Sequence, residues 1–192
     1  MAGVWARLRE SPLAMLGLLL VVFWLVLALL APVLPLLDPN AALDAFKAPL
    51  STSDDGITYW LGTDHKGRDI LARVIFGARQ VLLWTILASA VAYVLGIAMG
   101  LTAGYLGGWW DETVSFVGNV LLSFPVMVLY IVIISYLGAG GLNIVLAVTF
   151  ASAPGIMRIV RALTLDLKHR DYVAAAQTRG ESSLYIMFVE IL

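Results

Sequence analysis

The sequence predicts an all-α fold, a polytopic bundle of transmembrane helices. Three observations predict it. Of 192 residues, 61% are hydrophobic and 13% are charged, whereas soluble domains average about 45–50% apolar and about 25% charged. The mean hydropathy is +0.92. The apolar residues also gather into four long runs separated by glycine turns and polar stretches. A soluble fold of this length could not hide that much apolar surface, so the excess faces lipid. The net charge of -1 gives no electrostatic case for nucleic acid. The chain has no Cys, which removes disulfide frameworks and cysteine-based metal sites.

A bilayer core about 30 Å thick needs roughly 20 apolar residues of helix. The first run, 13–37, contains no charge and follows Arg7 and Arg9. Ser11-Pro12 fits its start, with Ser as N-cap and Pro in the first turn. A secretory signal would have an apolar core of about 7–15 residues and a small-x-small cleavage site. This run is longer and ends in Pro32 and Pro35, which favours an uncleaved anchor. The other runs cover 80–105, 114–137 and 142–159. The turn between the second and third carries Trp109 and Trp110, residues that favour the membrane–water boundary. Gly138-Ala139-Gly140-Gly141 makes the last turn.

With four spans, the N-terminus and the tail from Arg161 onward share a side. Seven Lys and Arg lie there (Arg7, Arg9, Arg158, Arg161, Lys168, Arg170, Arg179). Five lie in the long loop (Lys47, Lys66, Arg68, Arg73, Arg79). Positive charge favours the cytoplasmic side, so both termini are expected there. In the loop, residues 38–55 read as irregular. From Asp69 to Ala78 the apolar residues recur at helical spacing. Two readings fit that period equally: a short helix along the membrane surface, or an extension of the second span.

Ala88, Ala92, Gly96, Gly100 and Gly104 recur every four residues. That stripe has almost no side chains and lets another helix approach closely. Ala147, Ala151 and Gly155 repeat the device in the fourth span. Pro125 is expected to kink the third span, with Asn119, Ser123 and Tyr130 nearby. These four residues are candidates to line a solute path. The alternative is a tolerated proline with locally satisfied hydroxyls. The spans read as free of buried Asp, Glu, Lys and Arg, which argues against a proton-coupled pump.

No catalytic constellation emerges. Gly62 and Gly67 have the glycine spacing of a nucleotide-binding loop, but Arg68-Asp69 stand where Lys-Ser/Thr is required. His65 with Asp64 and Asp69 reads as solvated loop polarity rather than a metal site. Neither His65 nor His169 stands in a nucleophile motif. No metal, no cofactor and no enzyme activity are expected of the chain itself.

The tail holds a short helix, a glycine turn and a second helix. Asp171 can cap a helix from Tyr172 to Gln177, Gly180 ends it, and Ser182 or Ser183 can cap the next. The stretch Asp171-Tyr172-Val173-Ala174-Ala175-Ala176-Gln177-Thr178-Arg179-Gly180 resembles the Glu-Ala-Ala-x-x-x-Gly ("EAA") loop of ABC importer permeases. Ala175, Ala176 and Gly180 match, while Ala174 replaces the usual Glu. A second stretch, Leu61-Gly62-Thr63-Asp64-His65-Lys66-Gly67-Arg68-Asp69, resembles the Leu-Gly-Thr-Asp-x-x-Gly-Arg-Asp motif of the dipeptide/oligopeptide/nickel group, C-type. Gly77-Ala78-Arg79 continues that pattern.

The resemblance covers essentially the whole chain. It implies a six-span permease that pairs with a related permease. Two cytoplasmic ATPase subunits would bind the ATP and couple through the helix at 171–180. An external solute-binding protein would deliver peptides, nickel chelates, opines, glutathione or similar solutes. On this reading, residues 1–60 are an anchor span with external loop and 61–192 the permease core. Two further spans would follow the EAA loop, so a chain ending at Leu192 is expected to be a truncated product unable to transport. The competing classes are a membrane scaffold whose tail docks a partner, a secondary transporter, for which inverted repeats and charged spans are missing, and a membrane enzyme.

Overall fold

The structure is a computed structural model that describes residues 9–138 and 140–192. Arg7 in the topology count and Ala139 in the last turn lie outside the described residues. The helices are α1 (Pro12–Leu30), α2 (Ile70–Leu106), α3 (Gly108–Ser123), α4 (Val126–Leu137), α5 (Gly141–Leu167), α6 (Asp171–Thr178) and α7 (Ser183–Tyr185). The last runs on into a π-helical turn, Ile186–Ile191. Helices α1, α2 and α5 are each long and apolar enough to cross a membrane. The α3–α4 pair makes a fourth crossing if its two bent halves form one span. One small sheet joins the all-α plan, pairing β1 (Ser51–Thr52) antiparallel with β2 (Thr58–Tyr59).

Contacts divide the described chain into two units, one up to Leu83 and one from Trp84 to Leu192. In the first, Ser11 caps α1 through its Oγ, which accepts the Ala14 N–H at 3.4 Å. The helix stops at Leu30, short of the 37 expected, because Pro32 has no N–H to continue the ladder. Asp69 caps α2, its Oδ2 accepting the Ala72 N–H at 3.0 Å. From there α2 is one unbroken helix of 37 residues. The periodic stretch at 70–79 is thus an extension of the second span rather than a separate surface helix. At 1.5 Å per residue α2 is about 55 Å long, well beyond the hydrocarbon thickness.

The second unit is organised by the small-residue face of α2. Ala88, Ala92, Gly96, Gly100 and Gly104 are all buried. A Cβ built on Gly96 would lie 2.7 Å from the Ile156 Cβ, and one on Gly104 2.7 Å from the Thr164 Cβ. On Gly100 it would come within 2.5 Å of the Met157 carbonyl oxygen. Here α2 and α5 touch backbone to backbone. On α5 the contact uses Ile156, Met157, Val160 and Thr164, whereas a Cβ on Gly155 would meet open space. Of the fourth-span stripe, Ala147 is buried while Gly155 has no neighbour across it. The third run is not one kinked helix. It breaks at Phe124-Pro125, and α3 and α4 meet at 90°. Pro125 has no N–H for the Leu121 carbonyl, and its ring keeps Phe124 extended, with ψ 135.

Gly100→Leu is therefore expected to destabilise the detergent-solubilised protein by about 1–3 kcal/mol through overpacking. Gly155→Ala is expected to leave the melting temperature within error. Thermal unfolding followed by tryptophan fluorescence checks both, and equal melting for the two variants would contradict the close α2–α5 contact.

Candidate functional site

Three arrangements hold chemistry-bearing side chains. The first is the glycine-rich loop motif in the unit ending at Leu83. Asp64 is its centre. Its Oδ1 accepts the backbone N–H of Lys66 at 2.8 Å and of Arg68 at 3.0 Å. Its Oδ2 takes the Arg68 Nε at 2.8 Å and lies 2.6 Å from Nη2. The hydrogen bonds from the Arg68 side chain, above all, hold the Asp64 carboxyl well below the usual carboxylate range. Gly67 has φ +74 and Gly62 φ +78, and a Cβ on Gly62 would strike the Lys47 carbonyl. Buried Thr63 accepts the Lys47 N–H at 2.9 Å and donates to the Asp44 carbonyl. Leu61 to Asp69 thus lash the loop to residues 43–48 and end in the α2 cap. His65 is exposed, and no group of three metal-ligating side chains forms among the described residues.

The second arrangement lies where α2, α3 and α5 end together. Arg161 of α5 grips Asp111 of α3 through two contacts, Nε to Oδ1 and Nη2 to Oδ2 at 2.6 Å. Ser115 donates to the same carboxylate at 3.2 Å. Lys168 Nζ donates to the Gly104 carbonyl at 2.9 Å, satisfying one of the orphan carbonyls of the last α2 turn. The sequence reading passed over this cluster. The available signal was an acid in one tight turn and a base at the facing end of an antiparallel span. The spans are expected to hold no buried charge, and the one charged residue within the four apolar runs, Arg158 of α5, is exposed. Arg158 sits inside α5 and donates from Nη2 to Asn119 Oδ1 at 2.8 Å.

The third arrangement is the short helix α6. It starts one residue earlier than expected, at Asp171, and Arg170 is the N-cap without a side-chain bond. Asp171 instead places its charge in the first turn, where it favours the helix dipole. Gly180 has φ +77. Its N–H reaches the Gln177 carbonyl at 3.0 Å, and the Glu181 N–H reaches that of Ala176 at 3.2 Å, a Schellman ending. Ser182 caps α7, its Oγ accepting the Tyr185 N–H. Val173 and Ala176 are buried against Ile186, with Tyr105 of α2 and Ile191 packed around them. Asp171, Tyr172, Ala174, Ala175 and Gly180 are exposed. Among the candidate path residues, Ser123 donates to the Asn119 carbonyl at 2.8 Å, Pro125 stands at the break, and Tyr130 lies half-buried on α4.

Comparison with known proteins decides the family. A family model described as the binding-protein-dependent transport system inner membrane component matches residues 92–192. A second, the N-terminal TM domain of oligopeptide transport permease C, matches residues 1–49. The chain belongs to this family of transport permeases. The permease is similar to the Dipeptide transport system permease protein DppC of Alkalihalophilus pseudofirmus, with 30% identity over 97% of this chain and 60% of the relative. It is also similar to the Glutathione transport system permease protein GsiD of Escherichia coli, with 34% identity over 98% of this chain and 61% of the relative. The chain spans about three-fifths of the length of these curated relatives. The permease model covers the bundle from Ala92 onward, including α6 and the ion-paired helix ends. It is a multi-pass membrane protein of an inner-membrane permease family, not of an enzyme family.

Two expectations follow for the permease. Because the Asp64 pKa is depressed in the fold, its contribution is whole above the unfolded value of about 3.9 and fades only as pH falls below that. Asp64→Asn should therefore speed proteolysis within 38–69 severalfold at pH 7, while the parent loop stays resistant down to about pH 4. Peptide mapping after limited digestion checks this. In a double-mutant cycle with Asp111→Asn and Arg161→Gln, we expect a coupling of roughly 1–2 kcal/mol in unfolding free energy. A coupling near zero would show the pair to be idle.

Proposed function

We propose that this chain is the membrane-embedded permease part of an ATP-driven importer of peptide-like solutes. α6 would be its docking element for a cytoplasmic ATPase. The observation that carries the reading is the seat of α6. One face, Val173 and Ala176, is buried with Tyr105 at the end of α2. The other, with Tyr172, Ala174 and Ala175, is left exposed. A push on that exposed face would be delivered to the end of a long helix packed backbone to backbone on α5. Rigid-body coupling of this kind converts movement at one site into rearrangement at another.

In this proposal ATP is bound and hydrolysed by two partner subunits, and the permease needs no cofactor of its own. A second permease completes the path, and an external solute-binding protein delivers cargo. Both termini of the chain lie on the cytoplasmic side. Dipeptides and glutathione are the solutes named for the relatives, and nickel chelates and opines belong to the wider group resembled. The exposed position of Ala174 explains how the family Glu can be replaced without disturbing the helix. A scaffold role, in which the same tail docks a partner without ATP, is the second reading.

The test places single cysteines at Ala175 and, as a control, at Ala176 in the full-length permease, which needs no prior cysteine removal within this sequence. Position 175 should crosslink to cysteines in the ATPase groove and change yield when ATP is added, while buried position 176 should stay silent. No crosslink from 175 in a well-folded complex would move the assignment to the scaffold.

A further inference from the structure

Arg158 lies within α5, flanked by Met157 and Ile159. Arginine is the residue best suited to bidentate recognition of a carboxylate or phosphate. Arg161, three residues on, offers the contrast. Its guanidinium is matched by the Asp111 carboxylate through two contacts. Arg158 meets no carboxylate in ion-pair range among the described residues. Among the described residues its hydrogen-bond partner is the Asn119 side-chain oxygen at 2.8 Å, and both side chains are exposed. A neutral amide orients a guanidinium without discharging it.

The guanidinium carries five N–H donors in a planar fork, and Asn119 takes one of them. The remaining edge suits two oxygens of one anion. Asn119 also keeps its amide N–H groups as donors beside the same spot. Its backbone carbonyl is occupied by Ser123, which steadies the last turn of α3. We propose that Arg158 and Asn119 form an oxyanion subsite whose occupant is the carboxylate of the carried solute. A lipid headgroup phosphate offers the same chemistry, and the experiment separates the two sources. The assignment to a solute rests on the transport reading above. The subsite itself does not.

Phenylglyoxal labelling of the full-length permease, assembled with its partners in nanodiscs, tests it. Arg158 and Arg161 modification is quantified by mass spectrometry with dialanine, glutathione or the C-terminal amide of each added at millimolar concentration. In phosphatidylcholine discs, the free acids should slow labelling of Arg158 at least severalfold and the amides should not. Arg161 should respond to neither. Protection that appears only in phosphatidylglycerol discs, without added solute, would give the subsite to lipid phosphate and overturn the solute assignment. Arg158 that is unreactive throughout, or reacts equally in every arm, would overturn the subsite altogether. Uptake of labelled dialanine by Arg158→Gln and Arg158→Lys proteoliposomes adds a second readout. The acid-over-amide preference should be lost with Gln and partly kept with Lys. Protection of Arg158 without any uptake by the parent protein would retain the subsite and refute the importer reading.

Discussion

The second unit depends on one steric constraint, the absence of side chains along a face of α2. Gly96, Gly100 and Gly104 let α5 come so close that a single methyl at any of them would overlap it. Lipid offers no hydrophobic drive between helices, so close packing and hydrogen bonds must hold the pair. That proximity then sets the polar contacts. Lys168, just past the end of α5, reaches the Gly104 carbonyl only because the helices lie so near. Thr164 lies against Gly104 itself, and Tyr105, the next residue, carries the base of α6.

The charged groups follow a consistent division of labour. Asp111 with Arg161 and Asp64 with Arg68 are paired and hydrogen-bonded, and each fixes a segment that would otherwise have several conformations. Such pairs owe their worth to geometry and to the additional donors around them, since exposed pairs alone contribute little. Ser115 beside Asp111 and the two loop N–H groups on Asp64 supply those donors. Arg158, set against an amide, stands outside this pattern.

Much of the architecture was legible in the sequence because lipid makes strong demands. Long apolar runs, the Ser11-Pro12 start, the glycine stripe and the Gly180 ending each follow from local rules that burial does not override. The length of α1 was overestimated because hydropathy continued past Pro32 while hydrogen bonding did not. The continuity of α2 was undecided because a surface helix and a span extension share one period. At the site, the α6 turn and the loop motif were visible as patterns. Which face of α6 is buried was not, since it depends on Tyr105, seventy residues away from Ala175 in sequence. The Asp111–Arg161 pair was hidden for the same reason. Its partners are fifty positions apart and meet only after α3 and α5 pack.

The break at Phe124-Pro125 has a consequence for solvation. A right-angled turn between α3 and α4 interrupts the helical ladder within an apolar stretch, so some carbonyls of the last α3 turn lose their intrahelical partners. Hydrocarbon supplies no donors, and backbone of this kind persists at membrane depth only where protein or water covers it. If the corner at residues 124–125 lies at that depth, acyl chains are excluded from it. There the lipid annulus would part around a wetted notch or a protein-sealed seam.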